Sequence, residues 1–372
     1  MKVALVHDYI KEYGGAEKVL ETLSEIYPEA PIYTAFYSPS FLGSHRERFN
    51  KMDIRTTWFQ NTPFKNKLLS YFRLIAPFVF KSLDLSDYDV IITSATGTYT
   101  SPNFVKKKKD AKLFCYCHTP PRYLYGYSTA APWKSVWWRK LLYLVGLVPI
   151  HFIRLLDFKS AQIPDYFIAN SEEVSKRIKK FYRRDPKIIY PPVQVKEGYL
   201  NQKKGNYLLA GGRLARPKHV DLAVLVCTKM GFPLKVFGRE FSGYGSELKR
   251  LAGPTVEFLG EVTDEEKWKL YEQAKVFIFP AEDEDFGIMP VEAMSVGTAV
   301  IAYRSGGVKE TVIDNKTGIL FNDLTTESLT AAIKKFESLK INPMDCNKQS
   351  QKFSKERFKE EIENFIASKS KN

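Results

Sequence analysis

The chain has 372 residues, which is too long for one ordinary hydrophobic core and predicts two domains. Its 44% hydrophobic and 26% charged residues are typical of a globular protein and exclude the disordered and fibrous classes. The formal net charge of +14 at pH 7 favours an anionic partner. Nucleic acids, phosphorylated small molecules and acidic membrane surfaces all fit that description.

Cysteine usage and hydrophobic runs indicate the compartment. Of the four cysteines only Cys115 and Cys117 are close in sequence, and no second pair completes a zinc site. Reduced, buried cysteines are expected in a cytosolic protein. The start MKVALVHDYI lacks the apolar run of a signal peptide, and LLYLVGLVPIHFI at 141–153 is too short and interrupted to span a membrane. We therefore predict a cytoplasmic protein without a transmembrane helix.

The first half of the chain alternates short apolar runs with helix-like segments. Helical patterns occupy 16–26 and 171–182. The apolar runs are KVALVHDY, PIYTAFY, DVIITSA, KLFCYCHTP, YFIANS and KIIYPPV. Runs without strict polar alternation predict strands of a parallel, doubly wound α/β sheet that is covered on both faces.

The second half repeats this alternation, with a helical pattern at 264–274. Its apolar runs are NYLLAGGRL, PLKVFG, VEFLG, VFIFPA, TAVIAYRSGG and TGILFN. Because the pattern restarts after the stiff sequence YPPV, we predict one α/β domain over 1–190 and a second over 191–350. Ligands of such sheets bind beyond the carboxyl ends of the strands, so the loops after these runs are the candidate sites.

Two glutamates lie in the stretch EDFGIMPVE. Glu284 falls in the loop after VFIFP, and Pro290 suits the first position of a helix, which predicts Glu292 in the first helical turn. The amides of Gly287 to Met289 would face an anion or hydroxyl groups. Carboxylates at this spacing suit an elongated, polyhydroxylated ligand. Alternatively, Glu292 only complements the helix dipole and Glu284 is a solvated loop acid.

A basic loop, GGRLARPKHVD at 211–221, follows the strand YLLA. Its Arg213 and Lys218 suit a diphosphate, because the guanidinium fork binds two oxygens and the ammonium adds a point charge. Arg216 has a weaker claim, and a helix is predicted to begin near Lys218. The alternative is a solvated basic loop.

The first half offers two further features. Gly14-Gly15, in YGGAEKV, allows the backbone to approach a phosphate or sugar at a helix start, although the G-x-G-x-x-G pattern is missing and a plain tight turn fits equally well. His118, in CYCHTPPRYLYGY, ends a strand before two prolines and suits either a catalytic or a structural role. Arg122 follows closely and could face an anionic acceptor.

In combination these motifs resemble the retaining glycosyltransferases of family 4. EDFGIMPVEAMSVGTAVIAYRSGGVKETV resembles the family's E-x7-E motif and the segment after it, GGRLARPK its diphosphate loop, and HTPPRYLY the loop of its donor-sugar histidine. IANSEEVSKRIKKFY and IYPPV also fit. The resemblance spans nearly the whole chain and is closest to bacterial mannosyltransferases of surface-polysaccharide assembly. It implies the GT-B fold, which has two Rossmann-like domains facing each other across a cleft.

The resemblance also implies where the C-terminal helix lies and what the second-half residues do. The helix at 351–369 would pack back on the N-terminal domain. Glu284 would hold hydroxyls of the donor sugar and Glu292 those of the nucleotide ribose. Arg213 and Lys218 would neutralise the diphosphate.

From the other domain, the resemblance implies that Gly15 closes on the diphosphate and that His118 contacts the donor sugar and shapes an oxocarbenium-like transition state. The resemblance further implies that the sugar and phosphates are lined by Phe286, Gly287, Ile288 and Met289. The nucleotide base would be contacted by the backbone near Glu261 and Val262.

These roles make electrostatic sense of the reaction. Negative charge builds on the departing diphosphate, and preplaced cations stabilise it. Because no D-x-D-like pair lies where the diphosphate is expected and the basic pair supplies the charge, we predict no metal and no other cofactor. The resemblance implies retention, with a phosphate oxygen taking the acceptor's proton and with domain closure around Pro191-Pro192.

The acceptor is suggested by the segment 131–156. Tryptophans beside basic residues and an apolar run suit a helix on an anionic bilayer, and a hydrophobic hairpin packed on the N-terminal sheet fits as well. On the membrane interpretation, the acceptor is a lipid-linked saccharide in cell-surface polysaccharide synthesis. The N-terminal pattern most resembles the mannosyltransferases that use GDP-mannose, which favours mannose as the transferred hexose. The tryptophans and basic residues of the segment are Trp133, Trp137, Trp138, Lys134, Arg139 and Lys140.

Other functions remain as alternatives. A transferase that uses a UDP-sugar, or a non-transferase of the same fold such as an epimerase or a sugar phosphorylase, would share these motifs. A nucleic-acid partner is not expected, because no recognition motif is evident and two site glutamates would repel phosphates.

Overall fold

The computed structural model describes residues 1–63, 65–66, 69–96, 99–128, 137–196 and 204–370. The chain divides into two compact units. The first comprises Met1–Tyr127, Trp133–Pro192 and Glu356–Asn372, and the second Ser128–Pro132 and Val193–Lys355.

Each unit is built on one parallel sheet, which confirms the predicted α/β class. Within the described residues, the first sheet has seven strands in the order β3-β2-β1-β4-β5-β6-β7 and the second has six in the order β10-β9-β8-β11-β12-β13. The strands are β1 Val3–His7, β2 Ile32–Thr34, β3 Ile54–Thr56, β4 Val90–Ala95, β5 Lys112–Cys117, β6 Tyr166–Ala169, β7 Lys187–Ile188, β8 Leu208–Gly211, β9 Leu234–Phe237, β10 Val256–Gly260, β11 Val276–Phe279, β12 Val300–Tyr303 and β13 Gly318–Phe321.

Helices connect the strands and cover the sheets. They are α1 Gly15–Ile26, α2 Leu69–Lys81, α3 Arg122–Tyr125, α4 Trp137–Ser160, α5 Glu172–Tyr182, α6 Val220–Met230, α7 Tyr244–Leu251, α8 Asp264–Gln273, α9 Ile288–Ser295, α10 Val308–Thr311, α11 Thr326–Ser338, α12 Pro343–Gln351 and α13 Lys355–Ser370. Among the described residues, no helix is sufficiently long and apolar to cross a membrane.

The C-terminal helix α13 contributes to the core of the first unit. Phe358, Ile362 and Ile366 recur at helical spacing, are fully buried, and pack in one cluster with Leu5 and Phe114 of the sheet. Helix α13 is therefore packed on the sheet that contains β1. A hydrogen bond fastens the same helix to the end of that sheet, because Nη2 of Arg357 donates to the carbonyl of Tyr190 at 2.9 Å.

The cysteines are buried, as predicted, and in the described chain none forms a disulfide. Cys115 and Cys117 lie in one apolar cluster of the first unit. Burial raises the pKa of the Cys115 thiol to about 12. Because the thiolate is the reactive form, this cysteine is chemically inert at neutral pH.

Candidate active site

In the second unit, the order of the strands places two loops side by side. The chain runs outward in one direction through β8, β9 and β10 and in the other through β11, β12 and β13, so the order reverses between β8 and β11. The loops after these two strands lie at the carboxyl edge of this switch point, where open α/β sheets bind their ligands. They are the basic loop and the acidic loop identified from the sequence.

The two loops meet through a lysine and a glutamate. The Nζ of Lys218 donates a hydrogen bond to Oε2 of Glu284 and forms an ion pair with it. The two side chains are 25% and 18% exposed, so the pair is partly shielded but open to a ligand. The ammonium also lies 5.4 Å from the ring centroid of Phe279, at the end of β11, within the range of a cation–π contact.

The basic loop differs from its prediction in where the helix begins. A short 3-10 turn spans Arg216–Lys218, His219 follows with φ of 47°, and α6 begins only at Val220, two residues later than predicted. The turn is fastened to the acidic loop, because the amide of Glu282 donates to the carbonyl of Pro217 at 2.9 Å. The 3-10 turn therefore holds Lys218 in the loop, beside the acidic loop, rather than in the helix.

The backbone of Glu284 is held by the loop after β12. The amide of Gly307 donates to the Glu284 carbonyl at 2.7 Å, and the amide of Asp283 donates to Oγ of Ser305 at 3.1 Å. At Gly306, where φ is 62°, an added Cβ would lie 2.0 Å from the Glu284 carbonyl oxygen. Only glycine permits this approach, so the sequence SGG after β12 serves to position the glutamate.

Glu292 lies deeper than expected. Because Gly287, with φ of 93°, caps the helix, α9 begins at Ile288, two residues before Pro290. The prediction that Glu292 lies in the first turn is therefore wrong, since it is the fifth residue of α9. The helix dipole acts mainly on the first turn, which weakens the explanation of Glu292 as a dipole partner.

A lysine that the sequence analysis missed accompanies Glu292. Glu292 is 1% exposed, and both its carboxylate oxygens lie 3.4 Å from Nζ of Lys267 in α8. The hydroxyl of Tyr271, four residues later on the same face of α8, donates to Oε2 at 3.5 Å. Burial disfavours the charged lysine, but the carboxylates of Glu292 and Asp264 outweigh it and raise the pKa of Lys267. The i, i+4 spacing of Lys267 and Tyr271 was the available signal.

The other predicted residues of this unit lie around the two glutamates. Arg213 is exposed beside Gly212, and a Cβ added at Gly212 would lie 2.7 Å from Sδ of Met289, so the basic loop lies against the start of α9. The Phe286 ring packs on Phe353 with centroids 5.3 Å apart. Of the four residues predicted to line the sugar and phosphates, two are buried and two half-buried, in the order Phe286, Gly287, Ile288 and Met289.

Arg216, Glu261 and Val262 are the remaining residues of this unit that the sequence singled out. Arg216 is engaged by Glu247 of α7, with 2.6 Å between Nη1 and Oε2, which gives it a structural partner. Glu261 and Val262 follow β10, the edge strand; Glu261 is exposed, and its carboxylate lies 3.5 Å from Nε of Arg239.

In the first unit the order of strands reverses between β1 and β4. Gly15 is the first residue of α1 and follows β1, and the preceding amide of Gly14 donates to Oε2 of Glu17 at 2.8 Å. His118 follows β5 and is 9% exposed, with Nε2 2.9 Å from Oγ of Ser94. Burial, with a smaller effect of His7, lowers the pKa of His118 from its ordinary 6.5 to about 3. The ring is therefore neutral at physiological pH.

Comparison with known families identifies the chain. The family model described as "Glycosyltransferase Family 4" matches residues 13–197, and the model "Glycosyl transferases group 1" matches residues 194–353. The chain belongs to the family 4 glycosyltransferases. It is accordingly a retaining hexosyltransferase, as the resemblance predicts.

Individual relatives of low sequence identity are also named as glycosyltransferases. The chain is 23% identical to the alpha-1,3/1,6-mannosyltransferase ALG2 of Rhizomucor pusillus, with 86% of this chain and 80% of the relative covered. It is 30% identical to the lipopolysaccharide core biosynthesis mannosyltransferase LpcC of Rhizobium leguminosarum bv. viciae, over 40% of this chain and 46% of that protein.

Solved structures match nearly the whole chain. Sucrose-phosphate synthase from Thermosynechococcus elongatus superposes with a TM-score of 0.72 at 16% identity, covering 99% of each chain. HepE of Anabaena in complex with UDP and glucose superposes with a TM-score of 0.70 at 18% identity, covering 99% of this chain and 100% of that one. At these identities the matches establish the GT-B fold alone.

Proposed function

We propose that this glycosyltransferase moves a hexose, with mannose from GDP-mannose as the best candidate, to a saccharide acceptor that is carried on a lipid. The product would be an intermediate of cell-surface polysaccharide synthesis. The relatives ALG2 and LpcC, both named as mannosyltransferases, support the choice of sugar. A UDP-sugar is the second candidate donor, because HepE was solved with UDP and glucose.

The observation that carries the proposal is the contact of Lys218 with Glu284 at the switch point between β8 and β11. A nucleotide sugar presents a diphosphate and, one bond away, a ring with several hydroxyl groups. The ammonium of Lys218 suits the diphosphate, and the carboxylate of Glu284 suits the hydroxyl groups of the sugar. A cation and an acid held side by side at a ligand-binding edge therefore match the two halves of the donor.

The reaction uses these charges in turn. The bond from the anomeric carbon to the diphosphate oxygen breaks, and Lys218 with Arg213 stabilises the negative charge on the departing group. The acceptor hydroxyl forms a new bond to the same carbon from the same face. Its proton passes to a phosphate oxygen of the leaving group, so the diphosphate acts as the base.

Glu292 is proposed to bind the ribose of the donor. Its carboxylate can accept hydrogen bonds from two adjacent hydroxyl groups, and Lys267 at 3.4 Å supplies a counter-charge in this buried position. The sugar and phosphates would be lined by Phe286, Gly287, Ile288 and Met289. The base would be met, mainly through the backbone, by Glu261 and Val262.

The contacts from the first unit are part of the same proposal. Gly15, at the start of α1, would offer its backbone to a phosphate, and His118 would contact the donor sugar. Because burial keeps His118 neutral, it would act by hydrogen bonding rather than by charge. We also propose that the enzyme is cytoplasmic, where its buried, disulfide-free cysteines suit the reducing conditions.

Thermal stabilisation by nucleoside diphosphates tests the donor proposal. We expect GDP to raise the unfolding midpoint more than UDP or ADP, with no change when EDTA is added, because the basic pair replaces a metal. At 100 times its dissociation constant a ligand adds about 2.7 kcal/mol, which corresponds to roughly 5–10 °C for a unit of this size. A dominant effect of UDP would replace GDP-mannose by a UDP-sugar, and no effect of any diphosphate would refute the site.

The lipid-linked acceptor is supported by apolar side chains on two helices of the first unit. Leu74 and Phe78 of α2 are 46% and 68% exposed, and Phe152 and Leu155 of α4 are 58% and 53% exposed. The two helices pack against each other, so the side chains lie on neighbouring elements. Exposed apolar groups on a basic protein suit an anionic membrane surface.

The predicted membrane segment 131–156 overlaps this surface only in part. Residues 131–136, with Trp133 and Lys134, lie outside the described residues, and the side chains of 137–148 are also not described. In the described end of α4, Ile153 is 7% exposed and belongs to the core, while Phe152 faces outward. This end of the segment therefore packs on the unit's core along one face and is proposed to offer the other to a membrane.

Vesicle sedimentation tests the membrane contact. We expect the protein to bind vesicles of phosphatidylcholine with phosphatidylglycerol more than phosphatidylcholine alone, and Phe78→Ser to reduce the bound fraction. The control is Phe241→Ser, which removes an exposed phenylalanine of the second unit, 44% exposed, and should leave vesicle binding unchanged. Equal loss in both variants, or no preference for the anionic lipid, would contradict the proposal.

A further inference from the structure

Four buried polar side chains form a continuous line through the first unit. Oε1 of Glu17 lies 3.7 Å from Nε2 of His7, Nδ1 of His7 lies 3.0 Å from Oγ of Ser94, and Oγ of Ser94 lies 2.9 Å from Nε2 of His118. Glu17 is 6% exposed, His7 and Ser94 are at most 1% exposed, and His118 is 9% exposed. The histidine proposed to contact the donor sugar therefore has a chain of partners behind it.

The backbone fixes this line in place. His7 ends β1 and Ser94 lies on β4, and the two are paired directly in the parallel register of these strands. Glu17 stands in the first turn of α1, where Oε2 accepts the Gly14 amide at 2.8 Å and leaves Oε1 for His7. The side chains of His7, Ser94 and Glu17 are thus held in place by β1, β4 and α1, which lie where the strand order of this sheet reverses.

A serine hydroxyl carries only one hydrogen, which links the protonation of the two histidines. If Ser94 donates to His7, it must accept from His118, and if it donates to His118, it must accept from His7. The tautomer of one histidine therefore determines the tautomer of the other. Which of its two hydrogen bonds Ser94 donates is therefore decided by the interaction that favours one tautomer of His7.

The carboxylate of Glu17 makes that choice. Its Oε1 lies 3.7 Å from Nε2 of His7, which is beyond hydrogen-bond distance, but its negative charge favours a proton on Nε2 over one on the more distant Nδ1. Nδ1 of His7 then accepts from Ser94, and Ser94 accepts from Nε2–H of His118. Among the described residues, Nδ1 of His118 makes no hydrogen bond.

We propose that Glu17, acting through His7 and Ser94, holds the proton of His118 on Nε2 and keeps Nδ1 as a hydrogen-bond acceptor for a hydroxyl of the donor sugar. This inference rests on the proposed function for the sugar contact alone. Glu17, His7 and Ser94 are positioning residues, because they act on the sugar only through His118.

An acceptor suits the chemistry better than a donor. A sugar hydroxyl that donates to a neutral nitrogen gains electron density on its own oxygen, and this favours positive charge in the ring as the bond to the diphosphate breaks. A histidine that donated to the same oxygen would withdraw density. The same Glu17 also caps Gly14, so one carboxylate serves both the Gly14-Gly15 turn and His118.

Nitrogen-15 NMR of the imidazole rings tests the relay directly. In the unaltered protein we expect both His7 and His118 to carry their proton on Nε2, with the signals assigned by His→Gln variants at the five histidines. Glu17→Gln places an amide N–H donor opposite Nε2 of His7. His7 should then carry its proton on Nδ1, and His118 should switch to the Nδ1–H tautomer.

The matched control is Glu21→Gln, one turn further along α1, where the carboxylate bonds Arg48 and Tyr13 instead. It should leave both tautomers unchanged. Ser94→Ala interrupts the line, so the tautomer of His118 should no longer depend on the side chain at position 17. The single variant S94A and the double variant E17Q/S94A should therefore give the same His118 spectrum.

Activity provides the second measurement. Glu17→Gln and Ser94→Ala should each lower kcat about tenfold, as for loss of one oriented hydrogen bond, while in Ser94→Ala, which leaves the Gly14-Gly15 turn untouched, stabilisation by GDP or UDP stays unchanged. An Nδ1–H tautomer of His118 in the unaltered protein, or no switch in Glu17→Gln, would overturn the relay. A relay that behaves as stated without any stabilisation by nucleoside diphosphates would refute the donor proposal instead.

Discussion

Lys218→Met is expected to lower kcat for glycosyl transfer by about 10²–10³, the usual cost of removing one preorganised contact to developing charge. The ammonium contacts Glu284 and lies at the switch point of the second sheet, where the diphosphate is proposed to leave. Methionine keeps the length and apolar stem of lysine. The change therefore removes charge with little effect on packing.

Lys275→Met is the matched control. Lys275 is also paired with a glutamate, Glu337, at 2.7 Å, but both side chains are more than a third exposed and the pair lies away from the two loops. Surface pairs of this kind contribute about 0–1 kcal/mol, so both the unfolding midpoint and kcat should stay close to those of the unaltered enzyme. Similar activity in the two variants would remove Lys218 from the mechanism.

Lys267→Met should destabilise the second unit by about 3–5 kcal/mol, the usual cost of breaking a buried ion pair. The reason is that Glu292 is 1% exposed and its carboxylate would lose the ammonium 3.4 Å away. Denaturant unfolding measures the loss. The double variant Lys267→Met/Glu292→Gln removes both charges and should regain most of the stability.

The same pair separates stability from ribose binding. If Glu292 binds the ribose hydroxyls, the unaltered enzyme should prefer GDP to 2′-deoxy-GDP by about 10–100-fold, which corresponds to one hydrogen bond to a charged group. Glu292→Gln should reduce that preference, and the stabilised double variant should not restore it. Equal discrimination in all variants would show that Glu292 is a structural ion-pair partner only.

Much of the fold could be predicted because its strands are buried on both faces. Such strands read as continuous apolar runs, and the predicted runs correspond to strands of the two sheets. Strand β3, Ile54–Thr56, escaped prediction because its sequence IRT is short and largely exposed at a sheet edge. No apolar run marks it.

Helix starts were harder to predict than strands. Gly287 adopts a left-handed conformation that lets α9 begin before Pro290. His219 also adopts a left-handed conformation, which ends the 3-10 turn at Lys218 and delays the start of α6 to Val220. A residue's preference for a capping position does not reveal which residue will adopt positive φ. The glutamate that was expected in the first turn thereby lies two residues deeper, in the second turn.

The missed partners depend on contacts between distant segments. Lys267 reaches Glu292 because α8 packs against α9, and His7 reaches Ser94 through the register of β1 and β4. Neither pairing has a local sequence signal beyond helical or strand spacing. His7 also ends an apolar run, where a polar residue reads as the end of a strand rather than as part of a site.

Hydrogen exchange with GDP and UDP tests the central claim, that the donor diphosphate binds between the loops after β8 and β11. With the diphosphate that stabilises the protein, amides at 212–219 and 282–292 should exchange more slowly, and this protection should be lost in Lys218→Met but kept in Lys275→Met. Saturating binding that leaves both loops unprotected, with slower exchange confined to other parts of the second unit, would contradict the account.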